Sequence, residues 1–118
     1  MTIADFTDVE RLAFGGLIRL LVAADNQYSR EEADALADLS EDLGADLWAL
    51  VEAAAQHFEG VEQIRAAAAD VHRPEVKELI YGALLGIGQR GTLGEGEQSL
   101  LDWLAQLWKL DEGGVPYR

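Results

Sequence analysis

The sequence predicts an all-α domain, and three features of its 118 residues support that prediction. Apolar residues recur at the i, i+3, i+4 spacing of helices along most of the chain. No run of alternating apolar and polar residues, rich in Val, Ile, Thr or aromatic side chains, favours a strand. Hydrophobic residues make up 49% of the chain, enough for a core. We predict one compact bundle of about six helices over residues 1–118, with a loosely ordered tail at 111–118.

The first helix is predicted to begin after Thr7 and to run to about Ala24. The Thr7 hydroxyl can cap the first turn while the Glu10 carboxylate, three residues on, reaches back to the Thr7 N–H. A wide apolar stripe along this segment is typical of a central helix. The stripe consists of Val9, Leu12, Ala13, Phe14, Leu17, Ile18, Leu20, Leu21, Val22 and Ala24.

A second helix is predicted to follow the polar turn at 25–28 and to run to about Leu43. Ser29 and Glu32 have the spacing of another capping box, and Gly44 supplies the stop. Two shorter helices are then predicted, at about 46–57 and, in an Ala-rich segment, at about 61–70. We interpret His57 as a partner of the helix dipole at the end of the third helix, and His72 as part of a solvated connection.

The last two helices are marked by Pro74, which suits a first helical position, and by a Leu-rich segment that ends near residue 110. Glycines at 82, 86 and 88 lie on or near the inner face of the fifth helix. They predict either close backbone packing against another helix or fraying toward the turn at 91–94. Trp103 and Trp108 sit in the Leu stripe of the sixth helix, which favours an anchoring role over ligand stacking.

The charge and the cysteine count exclude several functions. The chain has 22 acidic and 9 basic residues, a net charge of −13, and no cysteine. Disulfides, thiolate zinc sites, iron–sulfur ligation and cysteine nucleophiles are therefore excluded. We expect no nucleic-acid partner, because no Lys/Arg stripe is present to displace counterions from phosphates. Apolar runs are too short for a membrane span, and the first residues do not resemble a signal peptide, so we expect a cytoplasmic protein without direct membrane insertion.

Most of the negative charge lies in the first half of the chain. Residues 1–60 have a net charge of −10, and residues 61–118 a net charge of −3. If the fold keeps these acids together, their field favours capture of a cation or steering of a basic partner. The simpler interpretation is a solvated helix surface, which we favour for most of the acids. Those residues include Asp34, Asp38, Glu41, Asp42 and Asp46.

An internal repeat appears when the chain is aligned with itself at an offset of 65 residues. Each copy reads as an apolar helix, a turn centred on Asn or Gly, and a second helix with Glu at its third position. The aligned pairs include Leu20 with Leu85, Asn26 with Gly91, Tyr28 with Leu93, Glu32 with Glu97 and Leu36 with Leu101. We expect two such units to pack about a pseudo-twofold axis, with the first and fifth helices side by side.

Residues 20–32, Leu-Leu-Val-Ala-Ala-Asp-Asn-Gln-Tyr-Ser-Arg-Glu-Glu, resemble the TerB-like (tellurite-resistance) helical domain family. Its signature is Asp-Gly-x-apolar with an acid further on, repeated in the second half. The first copy has Asn26 where Gly is usual, and the second copy has Arg90 in place of Asp. The resemblance covers roughly residues 14–110. It implies an all-α bundle found in bacterial stress and tellurite-resistance systems and beside J-domains in membrane-anchored co-chaperones.

The same resemblance implies a divalent cation at the acidic turn, and oxygen ligands there suit Ca²⁺ or Mg²⁺. The candidate ligands are Asp25, Asn26, Glu31 and Glu32. Since Arg90 replaces the second Asp, at most one such site is expected. The alternative is that Asp25 caps the turn and Glu32 closes the Ser29 capping box, without any ion.

We therefore predict a non-enzymatic acidic module that binds a divalent cation at this turn and docks a protein partner, including one in a membrane-associated complex. Two alternatives stay open. One is a metal-free interaction or structural domain. The other is an enzyme with an unrecognised carboxylate site, which would require a concave pocket that holds carboxylates with shifted pKa values.

Overall fold

A computed structural model describes residues 3–23, 30–44, 46–90 and 95–109. These ranges contain six α-helices and no strand, which confirms the predicted fold class. A short 3-10 helix at Ile3–Asp5 precedes them. The helices are α1 (Asp8–Ala23), α2 (Arg30–Leu43), α3 (Leu47–His57), α4 (Val61–Ala69), α5 (Pro74–Arg90) and α6 (Glu95–Trp108). The predicted turns at 25–28 and 91–94 and the tail at 111–118 lie outside the described residues.

Local signals account for several helix ends. The Glu10 N–H donates to Thr7 Oγ1 at 3.2 Å, and the Thr7 N–H donates to Glu10 Oε1 at 2.7 Å, as in the predicted capping box. Helix α2 ends before Gly44, whose φ of 67° is unfavourable for other residues. The Asp46 carboxylate then accepts from the N–H groups of Trp48 and Ala49, at 3.0 and 3.4 Å, and so begins α3.

Helix α1 is the central helix that its wide apolar stripe predicts. It contacts α3, α4, α5 and α6. Phe14, Leu17, Ile18 and Leu21 are fully buried along it. Since these four helices pack around α1, burial of this one stripe supplies a large part of the hydrophobic stabilisation.

The closest helix approach lies at glycines of α1. A Cβ on Gly15 would stand 2.5 Å from the carbonyl carbon of Leu50 in α3, and one on Gly16 would stand 2.9 Å from Ile64 Cγ2 in α4. In α5, by contrast, a Cβ on Gly82 or Gly86 would meet nothing within 4 Å. The prediction of close backbone packing at those two positions is therefore wrong, because they do not face a neighbouring helix.

Helix α6 is anchored by one of its two tryptophans. Trp108 is 4% exposed, and its Nε1–H donates to the Ala68 carbonyl oxygen of α4 at 2.9 Å. Leu101 and Leu104 are buried on the same helix. Trp103 is half-buried, with the Arg65 guanidinium 5.2 Å from its ring centre.

Among the described helices, none combines the length and the apolar character needed to cross a membrane.

Candidate functional site

The predicted cation site falls mainly outside the described residues. Asp25 and Asn26, in the segment between α1 and α2, are not among the described residues. Glu31 and Glu32 belong to the first turn of α2, but their side chains are not described either. Within the described parts of the chain, no three acidic or histidine side chains form a group that could hold a metal ion.

Six of the described acids in the first half are exposed on α2 and α3 or at the start of α3, and we call this set the acidic face. Its members are Asp34, Asp38, Glu41, Asp42, Asp46 and Glu52, all exposed. Four of them follow the i, i+4, i+7, i+8 spacing along α2, which places them on one side of that helix. The sequence from 30 to 57 contains eight acids and a single Arg, Arg30. The predicted solvated helix surface is therefore present on both helices.

The angle between α2 and α3 is set by a hydroxyl that the sequence analysis did not single out. Ser40 Oγ donates to the Leu36 carbonyl oxygen at 2.8 Å and accepts from the Leu47 N–H at 3.1 Å. One side chain thus joins the last turns of α2 to the first residue of α3. Together with the turn at Gly44, this link connects the two helices that carry the acidic face.

A second polar feature joins distant parts of the chain. Arg73 Nε donates to Glu10 Oε2 at 2.9 Å, and Arg73 Nη2 donates to Glu10 Oε1 at 2.5 Å and to the Asp5 carbonyl oxygen at 2.8 Å. The Glu10 side chain is only 7% exposed. The hydrogen bonds from Arg73 lower the Glu10 pKa from 4.5 to about 2, against the opposing effect of burial.

Sequence reasoning identified Glu10 only as a capping residue and placed the segment before Pro74 in a solvated connection. His72 is indeed exposed, but Arg73 is the partner of Glu10. The two residues are 63 positions apart, and no local pattern signals such a pair.

An open groove of about 350 Å³ lies between α1, the end of α3, and α4. Its apolar lining comes from Val9, Leu12, Phe58, Ala66 and Ala67, and its polar lining from His57, Gln63 and Asp70. His57 occupies the last turn of α3, as predicted, and its ring contacts the Phe58 ring edge-on at 5.0 Å. We call this cavity the α1–α4 groove.

A smaller hollow of about 200 Å³ lies between Leu20 of α1, the first turns of α4, and α6. Arg65 and Trp103, the stacked pair, form one wall. Because the two side chains already contact each other, this hollow offers less free polar surface than the α1–α4 groove.

The carboxylate with a clearly shifted pKa is not in either cavity. Among the described residues, Glu10 has a lowered pKa, and its partner is Arg73 rather than an open site. Burial raises the Tyr81 pKa, and the negative charge of Asp102 raises it further. The α1–α4 groove contains one carboxylate, Asp70. Glu10 pairs with Arg73 rather than with a second carboxylate, whereas acid–base catalysis uses two titratable groups with opposed pKa shifts.

No family model, curated protein or solved structure matches the chain.

Proposed function

We propose that this protein is a non-enzymatic acidic helical module that docks a basic protein surface through the acidic face of α2 and α3. The observation that carries the proposal is that six exposed acids lie on two helices that contact each other. Individually, exposed ion pairs contribute little to binding. Together, acids of one sign on one face steer a basic partner and raise its association rate.

The motif likeness extends the proposal to TerB-like domains of bacterial stress or tellurite-resistance type, acting in the cytoplasm on partners that include membrane-associated complexes. Two of the helix contacts support the pseudo-twofold arrangement of that likeness, whereas the α5–α6 contact has no α1–α2 counterpart of similar extent among the described residues. Helix α1 lies against α5 and α6, and α2 lies against α5. In this arrangement a twofold rotation places α1 on α5 and α2 on α6. The rotation relates the α1–α6 contact to the α5–α2 contact, and it maps the α1–α5 contact onto itself.

A charge-neutralised variant tests the docking surface. With deca-lysine as the probe at low salt, we expect the triple variant Asp34→Asn, Glu41→Gln, Asp42→Asn to bind about tenfold more weakly than wild type. The control triple Glu75→Gln, Glu78→Gln, Asp102→Asn removes the same charge from exposed acids of α5 and α6 and should weaken binding far less. Equal weakening by both triples, measured by isothermal titration, would mean that total charge rather than the acidic face binds the probe.

We also propose that the acidic turn binds a divalent cation through the side-chain oxygens of Asp25, Asn26, Glu31 and Glu32. Saturation at 100 times the dissociation constant stabilises a folded protein by about 2.7 kcal/mol. We therefore expect Ca²⁺ or Mg²⁺ to raise the melting temperature of chelated protein, and Asp25→Ala to abolish the rise. An unchanged melting curve at saturating ion would favour the capping interpretation, and a rise that survives Asp25→Ala would place the ion elsewhere.

A further inference from the structure

The α1–α4 groove combines an apolar floor with an acidic rim. Phe58 is 8% exposed at its base, whereas Val9 at its edge is 51% exposed, the largest exposure among the large hydrophobic side chains described. The groove volume of about 350 Å³ exceeds what one aliphatic side chain fills. An exposed apolar surface of this kind, rimmed by polar groups, is typical of interaction sites.

The rim carries negative charge that the described residues do not neutralise. The Asp70 carboxylate is exposed and has no ion pair within the described residues. Glu59 and Glu62 are also exposed and adjoin the lining residues Phe58 and Gln63. The arginines nearest in sequence to the lining of α1 and α4 have other contacts, since Arg11 pairs with Asp8 and Arg65 lies over Trp103.

One polar group at the rim suits a peptide backbone. Gln63 Oε1 accepts from the Glu59 N–H at 2.9 Å, which holds the side-chain amide in place. Its Nε2 group keeps two donors, and neither has an acceptor among the described residues. A main-chain carbonyl of a bound segment can accept from them, as in other sites where a few polar groups fix a ligand over an apolar floor.

We propose that the α1–α4 groove binds one apolar side chain of a basic peptide segment, while lysine or arginine residues on either side of it face Asp70, Glu59 and Glu62. This inference rests on the proposed function, because it assumes a basic partner, and it adds the place where that partner is anchored. Charge complementarity selects the occupant: the chain has a net charge of −13, and the groove rim shares that sign.

Two synthetic decapeptides test the proposal. Both consist of lysine and glycine around one central residue, which is leucine in the first and serine in the second. We expect the wild-type protein to bind the leucine peptide at least about fivefold more tightly, because burial of an aliphatic side chain is favourable. Fluorescence anisotropy of the labelled peptides measures both dissociation constants.

A filled groove should remove this preference. Ala66 is an exposed residue of α4 that lines the groove, so Ala66→Phe should occupy it without disturbing the core, whereas Ala53→Phe places the same ring on an exposed position of α3 outside the groove. We expect equal binding of the two peptides to Ala66→Phe and an intact leucine preference for Ala53→Phe. Circular dichroism confirms that both variants are folded.

The outcomes separate this inference from the proposed function. Equal, salt-sensitive binding of both peptides to wild type, or a leucine preference that persists in Ala66→Phe, overturns the groove as the anchor and leaves basic docking intact. Failure of both peptides to bind at low salt overturns both proposals. Concentration-dependent dimerisation that Ala66→Phe abolishes would assign the groove to a second copy of the chain and also overturn the inference.

Discussion

Replacement of Gly15 by alanine should destabilise the protein by about 3 kcal/mol or more. The new Cβ would overlap the Leu50 carbonyl oxygen and stand 3.1 Å from the Val51 nitrogen. Both are backbone atoms of α3, so neither can move aside by a change of rotamer. Relief requires α1 and α3 to separate, and separation opens voids around Phe14 and Val51, which are buried. Urea denaturation followed by circular dichroism measures the loss.

The matched control is Gly82→Ala. Gly82 also lies inside a helix, but a Cβ there meets no other atom within 4 Å. Alanine at this position should stabilise the protein by about 0.5–1 kcal/mol through its higher helix propensity. Opposite signs for the two alanine substitutions are thus expected. Equal and small effects would contradict the close contact between α1 and α3.

Loss of the Glu10 charge should have the second largest effect, about 2 kcal/mol at neutral pH. The pKa change from 4.5 to about 2 corresponds to about 3 kcal/mol as an upper limit, and the 41% exposure of the Arg73 side chain reduces it through solvent screening. Glu10→Gln isolates the charge, because glutamine also closes a capping box with Thr7. Chemical denaturation of wild type and variant at neutral pH measures the difference.

The same pair makes stability depend on pH in a defined direction. The Glu10 pKa is depressed in the folded protein, so the pair stabilises fully above the unfolded value of 4.5 and loses its contribution as the pH falls toward about 2. Wild type and Glu10→Gln should therefore converge in stability across that window. The control is Asp8→Asn. The Asp8 carboxylate lies 3.5 Å from Arg11 but is 94% exposed, so its loss should change the free energy of unfolding by less than about 0.5 kcal/mol. A constant gap between wild type and Glu10→Gln down to pH 2 would contradict the role of Arg73.

Each helix could be predicted because its signals are local. The Thr7 and Glu10 capping box, the Gly44 stop and Pro74 at the start of α5 each act within one helical turn. The apolar stripe of α1 is so wide that several other helices are needed to bury it, and α1 contacts four of them. The same helical periodicity predicts that the acids on α2 are exposed, because burial of a charged group without a partner raises the free energy of the folded state.

Glycine placement shows where local reasoning fails. Three glycines of α5 predicted either close packing or fraying toward the turn, yet the close contacts are made by Gly15 and Gly16 within the wide apolar stripe of α1. Sequence periodicity identifies the apolar side of a helix but not which neighbour lies closest to it. That distance depends on how two helices cross, which is a property of the packed pair.

What the amino-acid order establishes here is an acidic, cysteine-free, six-helix chain with a central first helix, since helix periodicity, capping and charge act over a few residues. The link from Glu10 to Arg73, the Ser40 joint between α2 and α3, and the α1–α4 groove depend on the folded arrangement. The Glu10–Arg73 link and the groove join segments far apart in the chain, and such contacts leave no periodic signature in it. The Ser40 joint spans only seven residues, but it forms across a turn whose direction helix periodicity does not determine.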